Sequence, residues 1–149
     1  MTLENLKNLE KIGYLKSHST SREEVQRMLE AARRNLADAA VEAISNETRF
    51  DSAYKAIMQL ALTAMMANGF RPDTHKPGHH QTVIQSLPHT IGLPNARMMV
   101  LDVLRRKRNN ADYSGDYVDE GSMKQCLSDA TDLLRDVTAW LQEQRPDLV

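Results

Sequence analysis

The segment Met123-Lys124-Gln125-Cys126-Leu127-Ser128-Asp129-Ala130-Thr131-Asp132-Leu133-Leu134-Arg135-Asp136-Val137-Thr138-Ala139-Trp140-Leu141 carries the cleanest periodicity in the chain. Met123, Leu127, Ala130, Leu133, Leu134, Val137, Trp140 and Leu141 recur every three or four residues, which puts them on one face of a helix that Pro146 ends. Working outward, the same spacing appears upstream in Phe50, Ala53, Tyr54, Ile57, Leu60, Ala61, Ala64 and Met65. Alanine and methionine on most sides predict that this is the most buried helix, capped at its start by Asn46 or Thr48 and stopped at Asn68-Gly69. A third stripe, Val25, Met28, Leu29, Ala32, Leu36, Ala39, Ala40, Ala43 and Ile44, predicts a surface helix over residues 21–44. Thr20 with Glu23, or Ser21 with Glu24, offers it a capping box.

Shorter pieces complete the pattern. Leu3, Leu6, Leu9 and Ile12 form an accessory helix within residues 1–18, stopped by Gly13. Residues 71–78 read as a loop, and a short helix follows from His79 to about Leu87, closed by Pro88. Pro94 opens a helix over Ala96–Asn110, and Ser114-Gly115-Asp116 breaks the chain after it. No stretch alternates with period two. The expected fold is all-α: a single domain, residues 1–149, built as an up-and-down bundle of four to five helices with short accessory helices.

Composition excludes several classes. The net charge of −1 makes no global electrostatic case for nucleic acid, so any such case rests on a local cluster. Cys126 is the only cysteine, which rules out an internal disulfide and suggests a reducing, cytoplasmic setting. Charges at Glu4, Lys7, Glu10 and Lys11 argue against a secretory leader, and the run Ala56–Ala67 is too short to span a membrane. His75, His79 and His80 are separated by Pro77 and Gly78, which breaks the one-face geometry of a helical metal site. No metal and no cofactor is expected.

The remaining candidate is Leu104-Arg105-Arg106-Lys107-Arg108-Asn109-Asn110-Ala111-Asp112-Tyr113. Four consecutive cations at a helix C-terminus complement the macrodipole, or they cradle phosphate, to which the planar guanidinium fork is matched. If the helix continues to Tyr113, then Arg106, Asn109, Asn110 and Tyr113 share one face, and Arg105, Arg108 and Asp112 share its neighbour.

Thr48-Arg49-Phe50-Asp51-Ser52-Ala53-Tyr54, Gly69-Phe70-Arg71, Gly78-His79-His80 and Arg105-Arg106-Lys107-Arg108-Asn109-x-x-Asp112-Tyr113, in that order, resemble a bacterial branch of the HEPN (higher eukaryote and prokaryote nucleotide-binding) superfamily. The resemblance implies a helical bundle of about five helices that dimerises. It also implies a protein that binds RNA or a nucleotide, in many members as a metal-independent ribonuclease of toxin–antitoxin or phage-defence systems, encoded beside a small nucleotidyltransferase. The family signature is an Arg, a polar residue and, a few residues on, a His. Aligning Arg108-Asn109 with that pair puts Tyr113 where the His belongs; aligning Arg106 puts Ala111 there. Neither register supplies an imidazole, and a tyrosine with a pKa of about 10 is a poor base at neutral pH.

Carried onto this sequence, the resemblance implies Arg108 and Tyr113 as catalytic residues, with Arg105, Arg106, Arg108 and Asn109 holding phosphate. Asp112, Arg49, Asp51 and Tyr54 support them. Up-and-down topology places His79 and His80 at the end of the bundle remote from Arg108 and the start of the second long helix close to it. Whether the chain is an enzyme stays open. The alternative function is a non-catalytic helical partner, for example of a nucleotidyltransferase.

Overall fold

In the computed structural model, residues 2–149 are described, and they form an all-α bundle. Helix α1 spans Thr2–Lys11, α2 Arg22–Ala39, α3 Asn46–Ala67, α4 His79–Gln85, α5 Leu87–Thr90, α6 Asn95–Ser114 and α7 Glu120–Gln144, with a 3-10 turn at Pro146–Leu148. The four long helices are those whose apolar stripes the sequence displays.

Helix α3 is the centre. It packs along α2 on one side and α7 on another, and also meets α4, α5 and α6. Its small and flexible side chains explain this, since Ala53, Ala56, Ala61 and Ala64 let neighbouring backbones approach and Met65 fills what remains. Phe50, Ile57, Leu60, Leu133, Val137 and Leu141 are fully enclosed around them. Burying one such side chain stabilises the fold by about 1.5–3 kcal/mol.

Local chemistry sets the ends. Ser21 caps α2 by accepting from the Glu24 amide, and Ser45 caps α3 by accepting from the Thr48 amide, so neither Asn46 nor Thr48 is the cap. Asp119 does the same for α7 through the Ser122 amide. Helix α2 ends at Ala39, five residues before the sequence pattern suggests. The chain must turn within residues 40–45 for α3 to fold back along α2, and the apolar Val41 and Ile44 are left exposed there.

Two features differ from the sequence reading. Leu15–Ser17 (β1) pairs antiparallel with Phe70–Pro72 (β2), Lys16 opposite Arg71. Strands of three residues are too short to show alternation. This ribbon also redirects the chain after α3. Gly69, at φ +91°, turns it in a conformation that side chains disfavour, and residues 70–78 then run back along α3 instead of staying at its far end. Helix α4 therefore begins beside the first half of α3. Pro88 lies within the first turn of α5, where it starts that helix instead of ending α4.

Candidate functional site

One face of α3 forms the floor of a cavity of about 660 Å³, with Thr48, Asp51, Ser52, Lys55, Met58, Gln59 and Leu62 recurring at helical spacing along it. Asn35 of α2 closes one side, where its amide donates to Gln59 Oε1 at 2.8 Å. Pro72 and Thr74 follow from the returning segment, His79, His80 and Val83 come from α4, and Arg108 comes from α6. The lining mixes apolar side chains with polar ones, among them Asp51, Tyr54, His80 and Arg108. That composition suits an organic ligand bearing a charged or hydrogen-bonding end.

Tyr54 is the pivot. Only 2% of it is exposed, and its hydroxyl has no hydrogen-bond partner among the described residues. Burial pushes the phenol up to about 12 despite the opposing pull of Arg108 and Arg105, so it stays a proton donor at neutral pH. The Arg108 guanidinium carbon lies 5.3 Å from the ring centroid, a cation–π arrangement. The His80 ring is 6.4 Å from the Tyr54 ring, and His79 meets His80 edge-on at 4.7 Å.

Arg108 is shared by two carboxylates. Its Nε lies 3.1 Å from Asp112 Oδ2 and 3.7 Å from Asp51 Oδ1, but without aligned hydrogen-bond geometry. With 31% of the Arg108 side chain exposed, such pairs contribute about 0–1 kcal/mol, a grip that a better-matched anion can displace. Burial, and then Asp112, raise the Asp51 carboxyl above its usual range.

The structure divides the residues singled out from the sequence. Helix α6 does run through Tyr113, and its faces separate as the helical spacing requires. Arg108, Asp51 and Tyr54 come together at the cavity, with Asp112 beside them. Tyr113 is 91% exposed on another face of α6, away from Tyr54 and the cavity lining. Arg105 Nε donates to the buried Asp102 at 2.8 Å, and Arg106 reaches the same carboxylate at 3.4 Å. Asn109 is half-buried and does not line the cavity. Arg49 Nε donates to the Ala39 carbonyl at 2.8 Å, closing the end of α2.

The expected remoteness of His79 and His80 from Arg108 is overturned. Both line the same cavity as Arg108 because residues 70–78 carry the chain back along about 20 Å of α3, the length from Tyr54 to Ala67. The Gly78-His79-His80 sequence signalled their presence, but nothing local signalled the reversal. Among the described residues no group of three His, Cys, Asp or Glu side chains is placed to hold a metal. No helix among the described residues is long and apolar enough to cross a membrane.

Fold and cavity together define an all-helical bundle with a half-polar, ligand-sized site between α3, α4 and α6. The chain matches no model of a known protein family and no characterised protein.

Proposed function

We propose that this protein binds the phosphate of an RNA or a nucleotide in the α3–α4–α6 cavity and that it cleaves RNA without a metal, as the HEPN resemblance implies. The observation that carries this reading is the juxtaposition of a buried, partnerless phenol and a loosely held guanidinium in one open cavity. An unsatisfied buried hydroxyl is a cost to the empty protein that a ligand oxygen removes. Arg108 supplies charge to a phosphoryl group, and the apolar walls at Met58, Leu62 and Val83 accommodate a base or ribose. Because Asp51, Arg108 and Asp112 carry a net charge of about −1 when ionised, an anion enters by drawing the guanidinium off at least one carboxylate. A role in a toxin–antitoxin or phage-defence system fits this reading.

The test is binding and cleavage of single-stranded RNA in EDTA, across a salt series. Arg108→Ala is expected to abolish cleavage and to weaken binding by about tenfold or more, as loss of a charge-assisted contact does. Unchanged behaviour in that variant overturns the reading.

A second reading rests on a different surface. Met99, Val103 and Tyr113 are exposed along α6, facing away from the cavity. Such a strip suits a protein partner, and the resemblance offers a second copy of the chain or a nucleotidyltransferase.

A further inference from the structure

Resting on that reading of the cavity, we infer that His80 is the proton-transferring residue of RNA cleavage, entering the site from α4 and not from the arginine-bearing helix α6. Neither ring nitrogen of His80 has a protein hydrogen-bond partner among the described residues, although the ring is half-buried. A structural histidine at that depth ordinarily bonds one nitrogen to the protein, as His18 does to Glu24 at 2.6 Å and His89 does to Asn5 at 3.1 Å. The ring shares the cavity with the orphaned Tyr54 hydroxyl and with Arg108, so three different functions converge there: a proton acceptor, a neutral donor and a cation.

The surroundings set the protonation state. Burial, then His79, Arg108 and Arg105, all lower the His80 imidazole below its ordinary 6.5. The charged or titratable groups around it are His79 on α4, Asp51, Tyr54 and Lys55 on α3, and Arg105 and Arg108 on α6. The imidazole is therefore neutral at pH 7 and can accept a proton. Of the two imidazoles that line the cavity, His80 is the one paired with the Tyr54 ring, at 6.4 Å, and His79 meets it edge-on at 4.7 Å.

The step balances with RNA alone. The ribose 2′-hydroxyl gives its proton to His80 as its oxygen bonds to phosphorus. The bond from phosphorus to the 5′-oxygen breaks with its electron pair, and that oxygen takes the proton back from the imidazolium. The products are a 2′,3′-cyclic phosphate and a 5′-hydroxyl, and His80 ends neutral. Arg108 and the protonated Tyr54 hydroxyl face the non-bridging oxygens, where charge builds in the transition state.

The experiment is cleavage of a labelled oligoribonucleotide by the full chain in EDTA, with binding measured separately on a substrate bearing a 2′-methoxy group at every ribose. For His80→Gln, cleavage is expected to fall by about 10²–10⁴ with affinity unchanged within about threefold. Free imidazole should restore part of the cleavage to His80→Ala, a readout that lost packing would not give. His75→Gln, outside the cavity, serves as the control for histidine loss. Cleavage by His80→Gln within a few fold of the parent, while Arg108→Ala is inactive, overturns the role of His80 and leaves the phosphate site standing. No cleavage by the parent chain overturns both the ribonuclease reading and this role. Cleavage that yields a 3′-hydroxyl and a 5′-phosphate also overturns it, because that chemistry does not use the 2′-oxygen.

Discussion

Replacing Tyr54 by Phe removes one oxygen from a position that is 2% exposed and makes no hydrogen bond among the described residues. The aromatic ring, its packing and its contact with Arg108 at 5.3 Å remain. A buried hydroxyl without a partner costs about 1–3 kcal/mol, so the variant is expected to be more stable by about 1 kcal/mol or more. For a chain of this size that corresponds to a rise in Tm of about 2–4 °C per kcal/mol. Urea denaturation followed by circular dichroism, with thermal melting alongside, measures both quantities. The sign is the diagnostic, because removal of a satisfied tyrosine hydroxyl lowers stability. If Tyr54→Phe is less stable than the parent by about 1 kcal/mol, the hydroxyl is already bonded in the empty protein, and the argument that it awaits a ligand oxygen fails. The same variant should bind RNA more weakly, which sets stability and function in opposition at one atom.

Two further predictions concern the surroundings of that atom. Because burial and Asp112 raise the Asp51 carboxyl in the folded chain, the folded state binds its proton more tightly, and stability falls as pH rises through the window just above the ordinary 3.8. Asp51→Asn should flatten that dependence in urea titrations run at several pH values and should tighten RNA binding by freeing Arg108; a steeper dependence would contradict the assignment. On the opposite face of α6, Val103→Asp should leave the monomer's melting temperature within about 2 °C, since an exposed substitution changes stability by about 0.5 kcal/mol or less. If that strip joins two copies, light scattering should show the variant monomeric and the parent dimeric, and identical masses would remove the strip as the dimer contact.

The helices most legible in the sequence are those whose stripes are broad and whose ends carry their own signals. Helix α7 shows an uninterrupted apolar face up to Pro146, and α3 ends where Asn68-Gly69 says it should. The end of α2 was less legible, because Ala43 and Ile44 continue its apolar spacing while the need to fold back onto α3 stops it at Ala39. The β1–β2 ribbon left no mark, since three residues per strand carry no periodicity and the pairing joins segments more than fifty positions apart.

The candidate site shows the same division. Periodicity alone placed Arg108 and Asp112 on one face of α6 and Tyr113 on another, because residues four apart stack and residues five apart diverge. The expected up-and-down topology put Asp51 and Tyr54, at the start of α3, close to that cluster. What the sequence by itself determined was therefore the set of long helices, the face of its own helix that each residue of α6 occupies, and the absence of an imidazole on the arginine-bearing helix. Only the tertiary structure decided that His79 and His80 share a cavity with Arg108, that the Tyr54 hydroxyl is buried without a partner, and that Tyr113 is in solvent. The physical reason is that local spacing fixes direction around one helix axis, whereas the meeting of α4 with α6 across α3 depends on how residues 70–78 return, a path set by backbone pairing with β1.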